Sequence, residues 1–247
     1  MEPQLNQPSQ NNQPSQNNQP SQLLRLNKFL AEKIGISRRE VDNLIAASKV
    51  LVNGAPARLG ARVLETDEII VEGKKIDTTP VSYTYLMLNK PVGYLSSRRS
   101  QGGEPTLYEL LPEKYRALKT VGRLDKNSSG LILLTNDGDF AFSHTHPKFY
   151  KIKTYLVSLD KPLEPLHQQE ISDFGIQLDD GASKLFLTKL NDNRLEWQVE
   201  MSEGRNRQIR RTFFALGYTV EKLHRVEFGN YKLGDLKPGE YKEVDKI

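Results

Sequence analysis

In the run Gly122-Arg123-Leu124-Asp125-Lys126-Asn127-Ser128-Ser129-Gly130, one carboxylate stands between two cations, with apolar strand patterns on either side. Such a loop suits a carboxylate presented in a cleft and kept ionised by Arg123 and Lys126. It also suits a plain hairpin loop whose Asp closes a turn, and the pattern alone leaves both readings open. A second group is Lys151, Lys153, Tyr155 and Val157, which strand alternation places on one face. An aromatic ring flanked by cations is a platform for a nucleobase and its phosphates, although a half-buried Tyr in an ordinary strand gives the same pattern. The third group, Glu203-Gly204-Arg205-Asn206-Arg207-Gln208-Ile209-Arg210-Arg211, holds four arginines, and Glu203 is its one acid. The guanidinium fork matches phosphate and carboxylate. The expectation is therefore phosphate contact, with one arginine turned inward to a carboxylate.

Other chemistries find no residues to carry them. The chain has no Cys, which excludes a disulfide scaffold, a thiolate metal site and a cysteine nucleophile. His144 and His146 stand two apart before Pro147 with no further cluster, and His167 and His224 are isolated, so no metal site is expected. There is no phosphate-cradling Gly-rich loop ending in Lys-Ser/Thr and no serine elbow.

The elements that must position these groups can be read next. TYLMLNKP, ALKTVGRLD, SGLILLTND and KIKTYLVSL read as strands, and SKLFLTKL with NRLEWQVEM as an antiparallel pair. Thr106 and Glu109 form a cap pair for a short helix. The arginine run opens a helix, NRQIRRTFFALG, with Arg207, Arg210 and Arg211 on one face, Ile209, Phe213 and Leu216 on the buried one, and Gly217 as its stop. Upstream, LRLNKFLAEKIG is a helix stopped by Gly35, and Ser37 and Glu40 form a capping box for a helix from Arg38 to about Ala47. KVLVNGAPAR and DEIIVEGKKI then read as hairpins turning at Asn53-Gly54 and Glu72-Gly73. Strands outnumber helices without regular alternation, which predicts an α+β fold with a mostly antiparallel sheet.

At the scale of the whole chain, 247 residues with a net charge of +4 allow one or two domains and indicate a nucleic-acid partner only weakly. The charge is uneven. Residues 23–75 carry ten Lys/Arg against seven Asp/Glu, while residues 76–247 carry 25 against 23. Residues 1–22 are a Gln/Asn/Pro/Ser tract repeating NQPSQ and are expected to be disordered. No stretch approaches the roughly 18 apolar residues of a membrane span, and the N-terminus lacks the pattern of a secretory signal, so a cytoplasmic protein is expected.

Two resemblances add to this reading. LNKFLAEKIGISRREVDNLIAASKVLVNGAPA resembles the S4-type RNA-binding domain (residues 23–76), which implies that Arg38 and Arg39 dock folded RNA. LNKPVGYLSSRR, VGRLDKNSSGLILLTNDG, Thr145-His146-Pro147 with KTYLV, EGRNRQIRR and RVEFGNYKLGDLKPGEYKEV occur in this order. Together they resemble the RsuA-like ribosomal RNA pseudouridine synthases, with a catalytic domain over residues 83–247. The chain departs from the family pattern at Asn127-Ser128-Ser129 and in the spacer FSHTHPKFYKIKTY.

The resemblance implies isomerisation of a flipped-out uridine in ribosomal RNA, without cofactor or metal. Asp125 would be the catalytic carboxylate, acting at the ribose; Arg210 would hold it charged and oriented. Tyr155 would stack on the base and assist proton transfer at carbon 5, with Leu223 as an apolar contact to the base. Arg123, Lys126, Lys153, Arg205 and Arg207 would bind the RNA. Large-subunit RNA is slightly favoured over small-subunit RNA, and a monomer is expected. Two other classes remain: a non-enzymatic RNA clamp, which has no need of a lone acid among cations, and an RNA N-glycosidase, which would release free uracil.

Overall fold

The computed structural model describes residues 23–247, so the expected disordered tract at 1–22 lies outside the described residues. The chain forms two compact units that divide between Pro80 and Val81.

The smaller unit contains β1 (Leu24–Arg25), α1 (Leu26–Lys33), α2 (Arg38–Ala46), β2 (Val50–Val52), β3 (Ala55–Pro56), β4 (Arg62–Val63), β5 (Ile69–Val71) and β6 (Lys74–Lys75). The helix α2 starts where the Ser37 hydroxyl accepts from the Glu40 amide at 3.2 Å and the Ser37 amide donates to the Glu40 carboxylate at 2.7 Å. Both two-residue turns have positive φ at both positions: Asn53 and Gly54 at 50° and 80°, Glu72 and Gly73 at 48° and 78°. That geometry matches the twist of paired strands and gives the antiparallel order β3-β2-β5-β6. Leu26, Leu30, Val41, Val50, Val63 and Ile69 are fully buried between helices and sheet.

The larger unit contains β7 (Tyr85–Lys90), β8 (Lys119–Val121), β9 (Ser129–Thr135), α3 (Gly138–Thr145), β10 (Lys153–Leu159), α4 (Pro165–Gln169), β11 (Ile176–Leu178), β12 (Gly181–Ser183), β13 (Phe186–Lys189), β14 (Glu196–Met201), α5 (Gln208–Ala215), β15 (Val220–Phe228), β16 (Tyr231–Lys232) and β17 (Tyr241–Glu243). A nine-stranded sheet runs β13-β14-β10-β15-β9-β7-β17, with β16 on β15 and β8 on β9. Its pairings are antiparallel except β9 with β15, as the α+β reading expects. Within SGLILLT the run Leu131–Leu134 is continuously apolar because both faces of β9 are covered: Ile132 and Leu134 face one core, Leu131 and Leu133 the other. At the parallel junction Gly130, at φ 104°, lies against Arg225, whose carbonyl oxygen would be 2.2 Å from an added Cβ. This junction brings the loop before β9 beside the middle of β15. No helix among the described residues is long and apolar enough to cross a membrane.

Candidate active site

Asp125 lies in the loop joining β8 to β9, and that loop is held by its main chain. Lys90, fully buried at the end of β7, donates to the carbonyls of Ser128 at 2.7 Å and Pro91 at 2.9 Å. Burial pulls the Lys90 pKa down to about 8, and the charge of Asp125 opposes that fall. Ser96 bonds both the carbonyl and the amide of Leu124, at 2.7 and 3.1 Å, and Gly93 donates to the Lys126 carbonyl at 2.9 Å. The turn itself is closed by the Asp125 carbonyl, which accepts from the Ser128 amide at 3.0 Å. The Asp125 carboxylate is left to line a cleft of about 560 Å³, with an Arg207 guanidinium nitrogen 3.6 Å away.

Strands and helices far apart in sequence supply the cleft walls. Tyr155 and Lys153 rise from β10, Leu223 and Arg225 from β15, Ile209 from α5, and Thr145 from the end of α3. Register pairs Tyr155 with Arg225 and Val157 with Leu223, so Tyr155 and Leu223 are diagonal neighbours on adjacent strands. Lys153 donates to the carbonyls of Lys151, Ser202 and Glu203 at 3.0–3.3 Å. Burial, then Arg225, lowers its pKa to about 8. Glu203 is the second carboxylate in the cleft, and it pairs with Arg205 at 3.0 Å.

The arginine segment divides into separate roles. Arg205 is tied to Asp180 at 2.7 Å and to the carbonyls of Gly181 and Ala182, and Arg211 pairs with Asp179 and Asp180. Arg205 lines the cleft, and Asp180 with the main chain of the β11–β12 hairpin, distant in sequence, engages its guanidinium. Arg207 stands just before α5 at φ 46°, and so is not part of the helix face. Arg210 donates to the carbonyls of Val220 at 2.6 Å and Asn127 at 2.8 Å. It steadies the Asp125 loop through the main chain, while the ion-pair contact to the carboxylate belongs to Arg207. Burial and Arg207 weaken the hold of Arg210 on its proton, and the charge of Asp125 strengthens it.

Arg123 lines the cleft and is exposed; Lys126 instead pairs with Glu104 at 2.6 Å. Arg38 and Arg39, in the smaller unit, are exposed at the start of α2, and Arg38 donates to Asn27 at 3.1 Å. Arg225 opens the RVEFGNYK motif but was given no role in the sequence reading. It is 2% exposed, donates to the Leu131 carbonyl at 2.7 Å and to the Tyr155 hydroxyl at 3.5 Å, and stands 4.8 Å from the Phe228 ring centre. Lys90 was likewise missed. The available signal was a single cation inside an otherwise strand-like stretch, LNKP and LHRVEF, where a charge must find partners when buried.

Comparison with known proteins accords with this geometry. Residues 84–215 match the RNA pseudouridylate synthase family, and residues 24–69 match the S4 domain. A ribosomal small subunit pseudouridine synthase A of Pasteurella multocida is 38% identical over 227 residues, covering 90% of this chain and 96% of that protein. A ribosomal large subunit pseudouridine synthase B of Bacillus subtilis is 36% identical over 228 residues, covering 89% and 91%. The crystal structure of a pseudouridylate synthase superposes with a TM-score of 0.65 at 33% identity, covering 90% of this chain and 96% of that one. A chain matched over nearly its whole length belongs to the RNA pseudouridine synthase family and is an enzyme of that class.

Proposed function

We propose that the enzyme isomerises uridine in ribosomal RNA, using Asp125 as the catalytic carboxylate on a nucleotide turned out of its helix into the cleft. One observation carries the reading: among cleft-lining carboxylates, Glu203 is paired with Arg205 at 3.0 Å, whereas Asp125 has a looser 3.6 Å contact with Arg207 and opens on the cavity. A cleft of this size accommodates a nucleotide. In the reaction the N1–C1′ bond breaks, the uracil rotates, a C5–C1′ bond forms, and the proton lost from C5 is balanced by one gained at N1. Asp125 serves the ribose side of this exchange. Tyr155 and Leu223 offer the base an apolar surface, and the Tyr155 hydroxyl, near Arg225, is suited to the proton at C5. Arg123 and Lys153 meet the phosphates beside the target, and Arg207 both screens Asp125 and faces the RNA. Turning the base out costs a few kcal/mol, least where the RNA is already irregular, which favours folded ribosomal RNA. The relatives are named for both ribosomal subunits, so the substrate class is drawn no finer than ribosomal RNA. The chain acts as a cytoplasmic monomer in this reading.

The test uses unmodified transcripts of both ribosomal RNAs and chemical mapping of pseudouridine. The wild type should modify a uridine in one of them. Asp125→Asn should abolish modification while RNA binding and melting temperature stay near wild type. Modification retained by Asp125→Asn would overturn the assignment, and release of free uracil would mark a glycosidase instead.

A further inference from the structure

The second half of α3 and the segment joining it to β10 carry several side chains that the cleft does not use. Between Asp139 and Asp160 the sequence has no acid, while it carries Lys148, Lys151 and Lys153 with two histidines. Three aromatic rings in this stretch face solvent: Phe142 is 46% exposed, Phe149 39% and Tyr150 76%. Rings of this kind are normally buried, and a contiguous exposed group marks a contact surface. The rings are ordered against one another. Phe142 and Phe149 meet edge to face with centres 5.7 Å apart, His146 lies 4.7 Å from Phe142, and the Lys148 ammonium stands 5.2 and 4.6 Å from the two phenylalanine centres. The backbone fixes this presentation. Pro147 opens a short 3₁₀ turn, Pro147–Phe149, His146 accepts from the Lys148 amide at 3.3 Å, and Tyr150 follows in the left-handed region at φ 48°. Thr145 and Pro147, within the same stretch, line the cleft that holds Asp125. The exposed rings therefore alternate in sequence with residues that form part of its wall.

We propose that Phe142, Phe149 and Tyr150, with Lys148, form a stacking station for unpaired RNA bases flanking the target uridine. The inference rests on the reading of the cleft as an RNA-modifying site. Charge selects the occupant: an acid-free run of cations interleaved with rings complements a polyanion whose bases present π-faces, and such rings stack any base without reading sequence. A protein partner would not account for the absence of acids, and a duplex would keep its bases out of reach. Holding the neighbours of an extruded nucleotide also offsets part of the stacking lost on extrusion.

The experiment compares wild type with Tyr150→Ala, with Tyr150→Phe, and with Phe142→Leu/Phe149→Leu, which keeps apolar packing and removes the π-faces. Affinity for fluorescein-labelled oligouridine is measured by anisotropy, with an RNA duplex as comparison, and KM and kcat are measured on the ribosomal transcript that the wild type modifies. Loss of a ring should weaken oligouridine binding and raise KM about tenfold, with kcat and duplex affinity unchanged. Tyr150→Phe should behave as wild type. Unchanged oligouridine affinity in both ring-removing variants, or an equal loss for duplex, would overturn the station. Should the double variant melt early, Tyr150→Ala decides the matter, because that ring is exposed. Failure of the wild type itself to make pseudouridine would instead overturn the reading on which the station rests.

Discussion

At the scale of single residues, the site turns on which arginine does what. Arg210 is a main-chain clamp, joining the Asp125 loop at Asn127 to the start of β15 at Val220. Its removal leaves two carbonyls to find other partners in a half-buried setting, at a cost of about 2 kcal/mol. Arg207 is half exposed and has a single long contact with Asp125, so its removal costs well under 1 kcal/mol of stability. Arg210→Ala should therefore lower both the urea midpoint and kcat, because the loop that carries Asp125 loosens. Arg207→Ala should leave the midpoint in place and act on KM and kcat alone. Equal midpoints for the two variants would contradict the clamp. The same division explains why the arginine run was only partly legible. Arginine's match to phosphate and carboxylate can be read from residue type, but the acids that pair with Arg205 and Arg211, Asp179 and Asp180, come from a hairpin 25 to 32 residues upstream. Sequence spacing holds no trace of that pairing.

At the scale of elements, the same contrast separates local signals from tertiary ones. Asp137 shows a local device strengthened by distant partners. As the N-cap of α3 it accepts from the Asp139 and Phe140 amides at 3.0 and 2.9 Å, and it also takes hydrogen bonds from Tyr85 and Lys246, each at 2.8 Å. Burial pushes its carboxyl up, but these donors together hold it below the usual aspartate value. A carboxyl with a lowered pKa in the folded state adds stability above its unfolded pKa, and that stability fades as pH falls through the folded value. Asp137→Ala should cost about 2–3 kcal/mol at neutral pH. The gap between variant and wild type should close below about pH 4 in acid-denaturation curves. A gap independent of pH would show that the loss is one of packing. Asn136-Asp137-Gly138 reads in the sequence as a strand stop, and the helix it caps went unread because Phe140, Phe142 and the histidines give no clear apolar stripe. The capping box at Ser37 and the turns at Asn53 and Glu72 were legible because each signal is complete within four residues. The longest described strand, β15, was missed for the opposite reason. Glu221, Lys222, His224, Arg225 and Glu227 break its alternation, and its register with β10 shifts twice, at Thr154/Tyr155 and Ser158/Leu159. A strand that lines a cleft and carries irregular register need not look like a half-buried strand.

At the scale of the whole molecule, a net charge of +4 is a poor guide, because cations are spent on different tasks. Lys90 and Arg210 hold the main chain, Arg205 and Arg211 close a hairpin, and Lys126 pairs with Glu104. The larger unit's near-neutral sum therefore conceals a cleft lined by Arg123, Lys153, Arg207 and Arg225. In the smaller unit the excess is plainer in proportion, ten cations against eight acids over residues 23–80. Arg38 and Arg39 are exposed in the first turn of α2. Two arginines that neutralise phosphates release counterions, and each such contact steepens the dependence of log affinity on log salt by about 0.9. Replacing both, Arg38→Ala with Arg39→Ala, should flatten that slope by nearly two for ribosomal RNA and weaken binding most at low salt. The single exposed bond from Arg38 to Asn27 is too weak for its loss to unfold the unit. Because the variant leaves the cleft untouched, kcat at saturating RNA should remain that of wild type while KM rises. A slope equal to wild type would make these arginines a solvated helix face, and the RNA contact of the S4 domain would then lie on another of its surfaces.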